Sequence, residues 1–155
     1  MSERWRAIGV LAVALFAVNV VARLITRFGF DGDDTAAADR VSLGMFVVIG
    51  LALAAVAFVW GRRRPVSAWG ADLAAAVGIA LLLTVLVGPL LVGDNPFGGG
   101  AGTFFAQIWL YLAAAGVGVL LGYLLLTALG LDYRSQSLKR YAELRATKPR
   151  RVVRR

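Results

Sequence analysis

The sequence predicts an all-α integral membrane protein, with four transmembrane helices in an antiparallel bundle and a basic cytoplasmic C-terminal tail. Three observations carry that prediction. The chain is 59% hydrophobic over 155 residues, above the roughly 45–50% of soluble domains, and its mean hydropathy is +0.74. The apolar residues fall in charge-free runs, Ala7–Ala22, Val41–Gly61, Leu73–Gly93 and Asn95–Leu131. The charges between those runs alternate in sign along the chain.

A helix needs about 20 predominantly apolar residues to cross a hydrocarbon core about 30 Å thick. The first helix, about 5–28, reaches that length only by running on through Arg23 and Arg27. The second, about 42–61, and the third, about 69–92, are long enough as they stand, and Gly88-Pro89 is expected to kink the third because Pro89 lacks a backbone donor. The fourth, about 103–129, follows a glycine-rich stretch, GDNPFGGGAG, that reads as a loop covering the helix ends or fitting another protein. Residues 1–130 thus form the transmembrane domain and residues 131–155 the tail. In the tail, Leu131, Leu138, Tyr141 and Leu144 fall near one side of a helix expected from about 133 to 146, which suggests docking at an interface or on a partner. Beyond Pro149, the basic end reads as disordered chain suited to anionic lipid.

Orientation follows from the charges. Arg4 and Arg6 precede the first helix, Arg62-Arg63-Arg64 follow the second, and the tail carries nine basic residues against Asp132 and Glu143. The other two connections hold Asp31, Asp33, Asp34, Asp39 and Asp94 against Arg40. Basic residues in short loops stay cytoplasmic. Both termini are therefore expected inside a bacterial cytoplasmic membrane, the bacterial source being read from a composition rich in Ala, Gly, Val and Arg. Trp5, Trp60 and Trp69 at the inner helix ends, with Trp109 and Tyr111 in the outer part of the fourth, are expected as interfacial anchors. The net charge of +8 is accounted for by this asymmetry and by attraction to anionic phospholipid, so no nucleic acid partner is expected. The chain is too short to bury four such helices under other protein, which sets aside a soluble fold. The first apolar stretch is longer than the usual 7–15-residue signal core.

The chain has no cysteine and no histidine. That removes disulfides, thiol chemistry, cysteine-ligated clusters and histidine-ligated haem or zinc. No carboxylate lies within a spanning core, Asp72 and Asp132 standing at inner boundaries, so no catalytic residue and no cofactor is predicted. The acidic string Asp31-Gly32-Asp33-Asp34 lacks the ligand offsets and the terminal glutamate of a calcium loop. A solvated loop or a contact for a basic partner patch accounts for it, and no metal site is predicted.

The candidate functional residues are Asn19, Arg23, Arg27, Gly118 and Gly122. Asn19, Arg23 and Arg27 are four apart, so they share one helix face with Thr26 beside them, a polar stripe climbing from mid-membrane to the outer surface. An arginine deep in a spanning helix costs roughly 2.5–3.5 kcal/mol on insertion scales. Three readings stay open: snorkelling to the outer headgroups, contact with another helix or a partner subunit, and binding of an anionic substrate or lipid headgroup. Small residues at four-residue spacing, Gly70, Ala74 and Gly78 in the third helix and Ala114, Gly118 and Gly122 in the fourth, predict faces where backbones approach closely. One is expected to serve the bundle and the other to meet a partner. Gln107 and Thr84 read as local or interhelical hydrogen-bonding groups.

These features fit best a non-catalytic accessory, anchoring or assembly subunit of a larger membrane protein complex, with self-association or other membrane subunits as partners. A small oligomeric transporter or channel is the alternative, though the acidic or histidine relay typical of proton coupling is lacking. A membrane enzyme or lipid-binding component is the third reading.

Overall fold

The computed structural model describes residues 2–30 and 35–147, all of them helical or in short connections, with no strand. Six α-helices follow in order: α1 (Ser2–Gly29), α2 (Thr35–Arg63), α3 (Val66–Leu82), α4 (Gly88–Leu91), α5 (Gly100–Ala128) and α6 (Tyr133–Thr147). A π-helical turn, Leu83–Val87, joins α3 to α4, so that Val66–Leu91 forms one continuous span. Four helices are long and apolar enough to cross a membrane, as in a multi-pass membrane protein. The string Asp31–Asp34 and residues 148–155, including the terminal arginines, lie outside the described residues.

The spans are longer than the apolar runs. The second helix starts at Thr35 rather than near 42, so Asp39 and Arg40 stand on α2 and not in a loop. Hydropathy marks the stretch suited to hydrocarbon, whereas Ala36, Ala37 and Ala38 are strong helix formers that extend the helix beyond it. Arg64 and Pro65 alone connect α2 to α3; Pro65 is extended, with φ −65° and ψ 152°, and starts α3 as its N-cap. At the π-helical turn, the Gly88 N–H bonds back to the Leu83 carbonyl, five residues earlier. This wider turn sits immediately before Pro89, whose ring removes a helical donor. α5 ends at Gly130, with φ +62°. There Leu131 N donates to Leu126 O at 3.2 Å and Gly130 N to Thr127 O at 2.9 Å, the paired closure that a left-handed residue allows. Asp132 Oδ2 then accepts from Ser135 N at 3.1 Å and starts α6.

The most extensive packing is α5 on α2, followed by α1 on α3 and α1 on α2. Gly118 and Gly122 set the α2–α5 seam. A Cβ on Gly118 would lie 2.7 Å from Gly50 Cα, and one on Gly122 2.7 Å from Ala54 Cα. Backbones this close gain dispersion contact along their whole length, which drives helix association in lipid. Their partners are therefore residues of the same chain. On α3, by contrast, nothing lies within 4 Å of a Cβ built on Gly70 or Gly78, and Ala74 is exposed.

Inside, Ala12, Leu15, Ile49, Leu53, Ala57, Leu73, Ala80 and Ala115 form one buried apolar cluster with Trp69 and Tyr111. Trp69 is 3% exposed and stacks at a tilt on Tyr123, ring centroids 6.1 Å apart. It is a core residue at the start of α3, whereas Trp5 and Trp109 face outward at 60% and 70% exposure.

Candidate functional site

The polar stripe of α1 does not run up an open surface. It forms one wall of a vestibule of about 770 Å³ at the end of the molecule that carries Asp39 and Asp94. Sites for small ligands commonly span about 300–1,000 Å³. α1 contributes Asn19, Arg23, Thr26 and Arg27, α2 contributes Asp39, Ser42 and Met45, and α5 contributes Thr103 and Gln107. Asp94, just beyond α4, stands at the rim. Thus the three stripe residues, Asn19, Arg23 and Arg27, converge on one cavity, and Gln107 joins them from a helix 80 and more residues later.

Asn19 fixes the base of the site. It is 1% exposed, donates through Nδ2 to Met45 Sδ at 3.0 Å, and accepts through Oδ1 from Arg23 Nε at 3.0 Å. The i, i+4 spacing stacks these two side chains along α1, and the bond at Nε holds the guanidinium against Asn19 at the vestibule wall. Gly88 makes this fit: a Cβ there would lie 2.9 Å from Asn19 Oδ1 and 3.0 Å from Arg23 Nε. The third span thus lies directly against the buried pair. Arg23 is only half-buried and its two terminal nitrogens have no protein partner among the described residues. They form a planar two-pronged donor of the kind that suits carboxylate or phosphate. Arg27 is exposed near the rim, close to Gly93. Thr26 donates to its own helix at Ala22 O, 3.0 Å.

Below Asn19 and Met45 the polar lining stops. Leu15, Ile49, Leu53 and Leu73 fill the interior toward the opposite end. Tyr111 and Thr84 are fully buried, and their hydroxyls have no hydrogen-bond partner among the described residues.

The opposite end holds an ion cluster that hydropathy does not single out. Asp72, buried in the second turn of α3, accepts from Arg4 Nε at 2.6 Å and lies 3.7 Å from Arg64 Nη1. The signal available in the sequence was a lone carboxylate among basic residues at an inner helix boundary. Among the described residues no cluster of acidic side chains is placed to hold a metal ion. A second seam, an apolar groove of about 890 Å³, runs along the outward face of α2 and α5 beside Gly50 and Gly118.

No protein-family model, curated protein or solved structure matches this chain. The site must therefore be read from its own chemistry.

Proposed function

We propose that this chain is a non-catalytic accessory subunit of a larger membrane assembly, and that its vestibule docks a phosphate or carboxylate group presented from the outer side. The single observation behind this reading is the Arg23 guanidinium, held by buried Asn19 and opening into a cavity. A snorkelling arginine has no need of a buried acceptor or of a glycine cleared from the neighbouring helix. The four spans form an antiparallel bundle in the bacterial cytoplasmic membrane, with both termini and the basic tail inside; the support is the clustering of Arg4, Arg6 and Arg62 to Arg64 at one end.

Catalysis is not favoured, because the Thr26 and Thr103 hydroxyls of the vestibule donate to backbone carbonyls one turn earlier, and among the described residues neither aspartate is hydrogen-bonded to a hydroxyl it could activate. Transport is not favoured either, since packed apolar side chains separate the vestibule from the basic end.

The test is purification from the native membrane in mild detergent, with mass spectrometry of the proteins and lipids that co-elute. Wild type should retain an acidic partner or phospholipid that Arg23→Leu loses at equal membrane levels. Identical sets from both proteins would sink the reading.

A further inference from the structure

The vestibule and the α2–α5 groove adjoin. Phe46 and Leu110 line both of them, so only these two side chains stand where the polar cavity meets the apolar one. From Phe46 to Val59 the groove follows α2 for about 20 Å at 1.5 Å per residue. That exceeds the roughly 15 Å half-thickness of a hydrocarbon core, so one acyl chain of a leaflet fits along it. Its lining is almost wholly apolar, from Leu43 and Val47 to Leu121 and Leu125.

Both signs of charge line the vestibule. Arg23 lies one turn, about 6 Å, deeper than Arg27, which is exposed beside Gly93, and Asp94 and Asp39 are exposed in the same lining. Among the described residues no cation lies within 4 Å of either carboxylate, although the charge of Asp94 acts on Arg23 across the vestibule. A simple anion would meet the arginines but also two carboxylates. A headgroup that carries both a phosphate and an ammonium satisfies both signs at once.

We infer that the vestibule and groove together bind one phospholipid with a zwitterionic phosphoethanolamine headgroup. Its phosphate lies on the Arg23 guanidinium and its ammonium faces Asp94 and Asp39. One acyl chain passes between Phe46 and Leu110 into the α2–α5 groove. This rests on the proposed anion-docking role of Arg23 and names its ligand. The apolar groove is thereby assigned to a lipid chain, not to a partner helix.

The experiment is delipidation of the full-length protein, followed by native mass spectrometry with added phosphatidylethanolamine, phosphatidylglycerol or water-soluble glycerophosphoethanolamine. Wild type should bind phosphatidylethanolamine about tenfold or more tighter than phosphatidylglycerol, the worth of one charge-assisted hydrogen bond. Asp94→Asn should remove most of that preference. Ala113→Trp and Ala55→Trp, at exposed positions inside the groove, should each weaken lipid binding at least fivefold. Helical content and a monodisperse elution profile check that both variants fold. Binding of the soluble headgroup should survive both tryptophans. Equal wild-type affinity for the two lipids would overturn the zwitterion assignment, and full binding by both tryptophan variants would overturn the path of the chain. Should the soluble headgroup bind in an Arg23-dependent way while the lipid does not, the lipid inference fails and anion docking stands. If Arg23→Leu changes no binding at all, both fail.

Discussion

Arg4 donates through Nε to the buried carboxylate of Asp72 at 2.6 Å, tying the first turns of α1 to the second turn of α3. The two sides of this bond differ in solvation. The Asp72 side chain is 5% exposed, whereas those of Arg4 and Arg64 are 61% and 58% exposed. Removing the carboxylate leaves cations that water still solvates. Removing the cations strands a buried charge.

The expected outcome is an asymmetry. Asp72→Ala should cost about 1 kcal/mol, because a largely exposed partner loses little. Arg4→Ala should cost somewhat more, with Arg64 left to compensate from 3.7 Å. Arg4→Ala combined with Arg64→Ala should cost about 3 kcal/mol, the order seen when a buried charge loses its partner. Unfolding in mixed micelles measures all three. A double variant no worse than Asp72→Ala would mean that the carboxylate reaches water by another route.

The α2–α5 seam makes a sharper comparison between two glycines that nearly touch. A Cβ on Gly118 would collide with the Gly50 backbone, lying 2.8 Å from its carbonyl carbon. A Cβ on Gly50 would meet only Ala114 O, at 3.4 Å. Gly118→Ala should therefore destabilise by about 1–3 kcal/mol through overpacking, and Gly118→Leu by more. Gly50→Ala should fall within about 0.5 kcal/mol of wild type. Thermal stability in detergent distinguishes them, and equal effects from the two alanines would show that the seam relaxes freely.

Particular residues show what was legible in the sequence. The four spans and the tail helix follow from hydropathy and periodicity, and α6 begins at Tyr133 as its apolar positions imply. The start of α2 was not legible, because Asp39 and Arg40 end the charge-free run while the helix continues through them to the alanines before. The alignment of Asn19, Arg23 and Arg27 was visible as a stripe, yet its surroundings were not. Gly88, Met45 and Gln107 reach it from other helices, and no local pattern encodes an interhelical register. Trp69 illustrates the opposite failure: a tryptophan at a helix end reads as an interfacial anchor, but the short Arg64-Pro65 connection turns it inward.

Orientation can be tested without removing native thiols, since the chain has none. Arg63→Cys should resist an impermeant thiol reagent applied to intact cells, and Phe97→Cys, 61% exposed in the connection before α5, should react. Both should react after permeabilisation. Labelling of Arg63→Cys from outside would invert the topology and place the vestibule on the cytoplasmic side.

The most informative substitutions separate the placement of Arg23 from the stability of the fold. Asn19 hydrogen-bonds only to side chains, donating to Met45 Sδ and accepting from Arg23 Nε. Asn19→Leu removes both hydrogen bonds and puts a larger apolar group against Gly88, so the fold should lose about 1–3 kcal/mol. Arg23 then keeps its charge but loses the acceptor that aims it, and it is free to extend toward the rim. Arg23→Lys retains the charge but has no Nε–H for Asn19 and no planar fork for the ligand. Gly88→Ala pushes on the same pair from the third span, at 2.9 Å from Asn19 Oδ1. All three variants should reach normal membrane levels, and all three should lose the co-purifying acidic partner or phospholipid about as fully as Arg23→Leu. Gly88→Ala added to Arg23→Leu should cause no further loss, because residues acting through one contact are not additive. If Arg23→Lys and Asn19→Leu both retain the component as wild type does, a point charge at that depth suffices, and the buried Asn19–Arg23 bond has only a structural role.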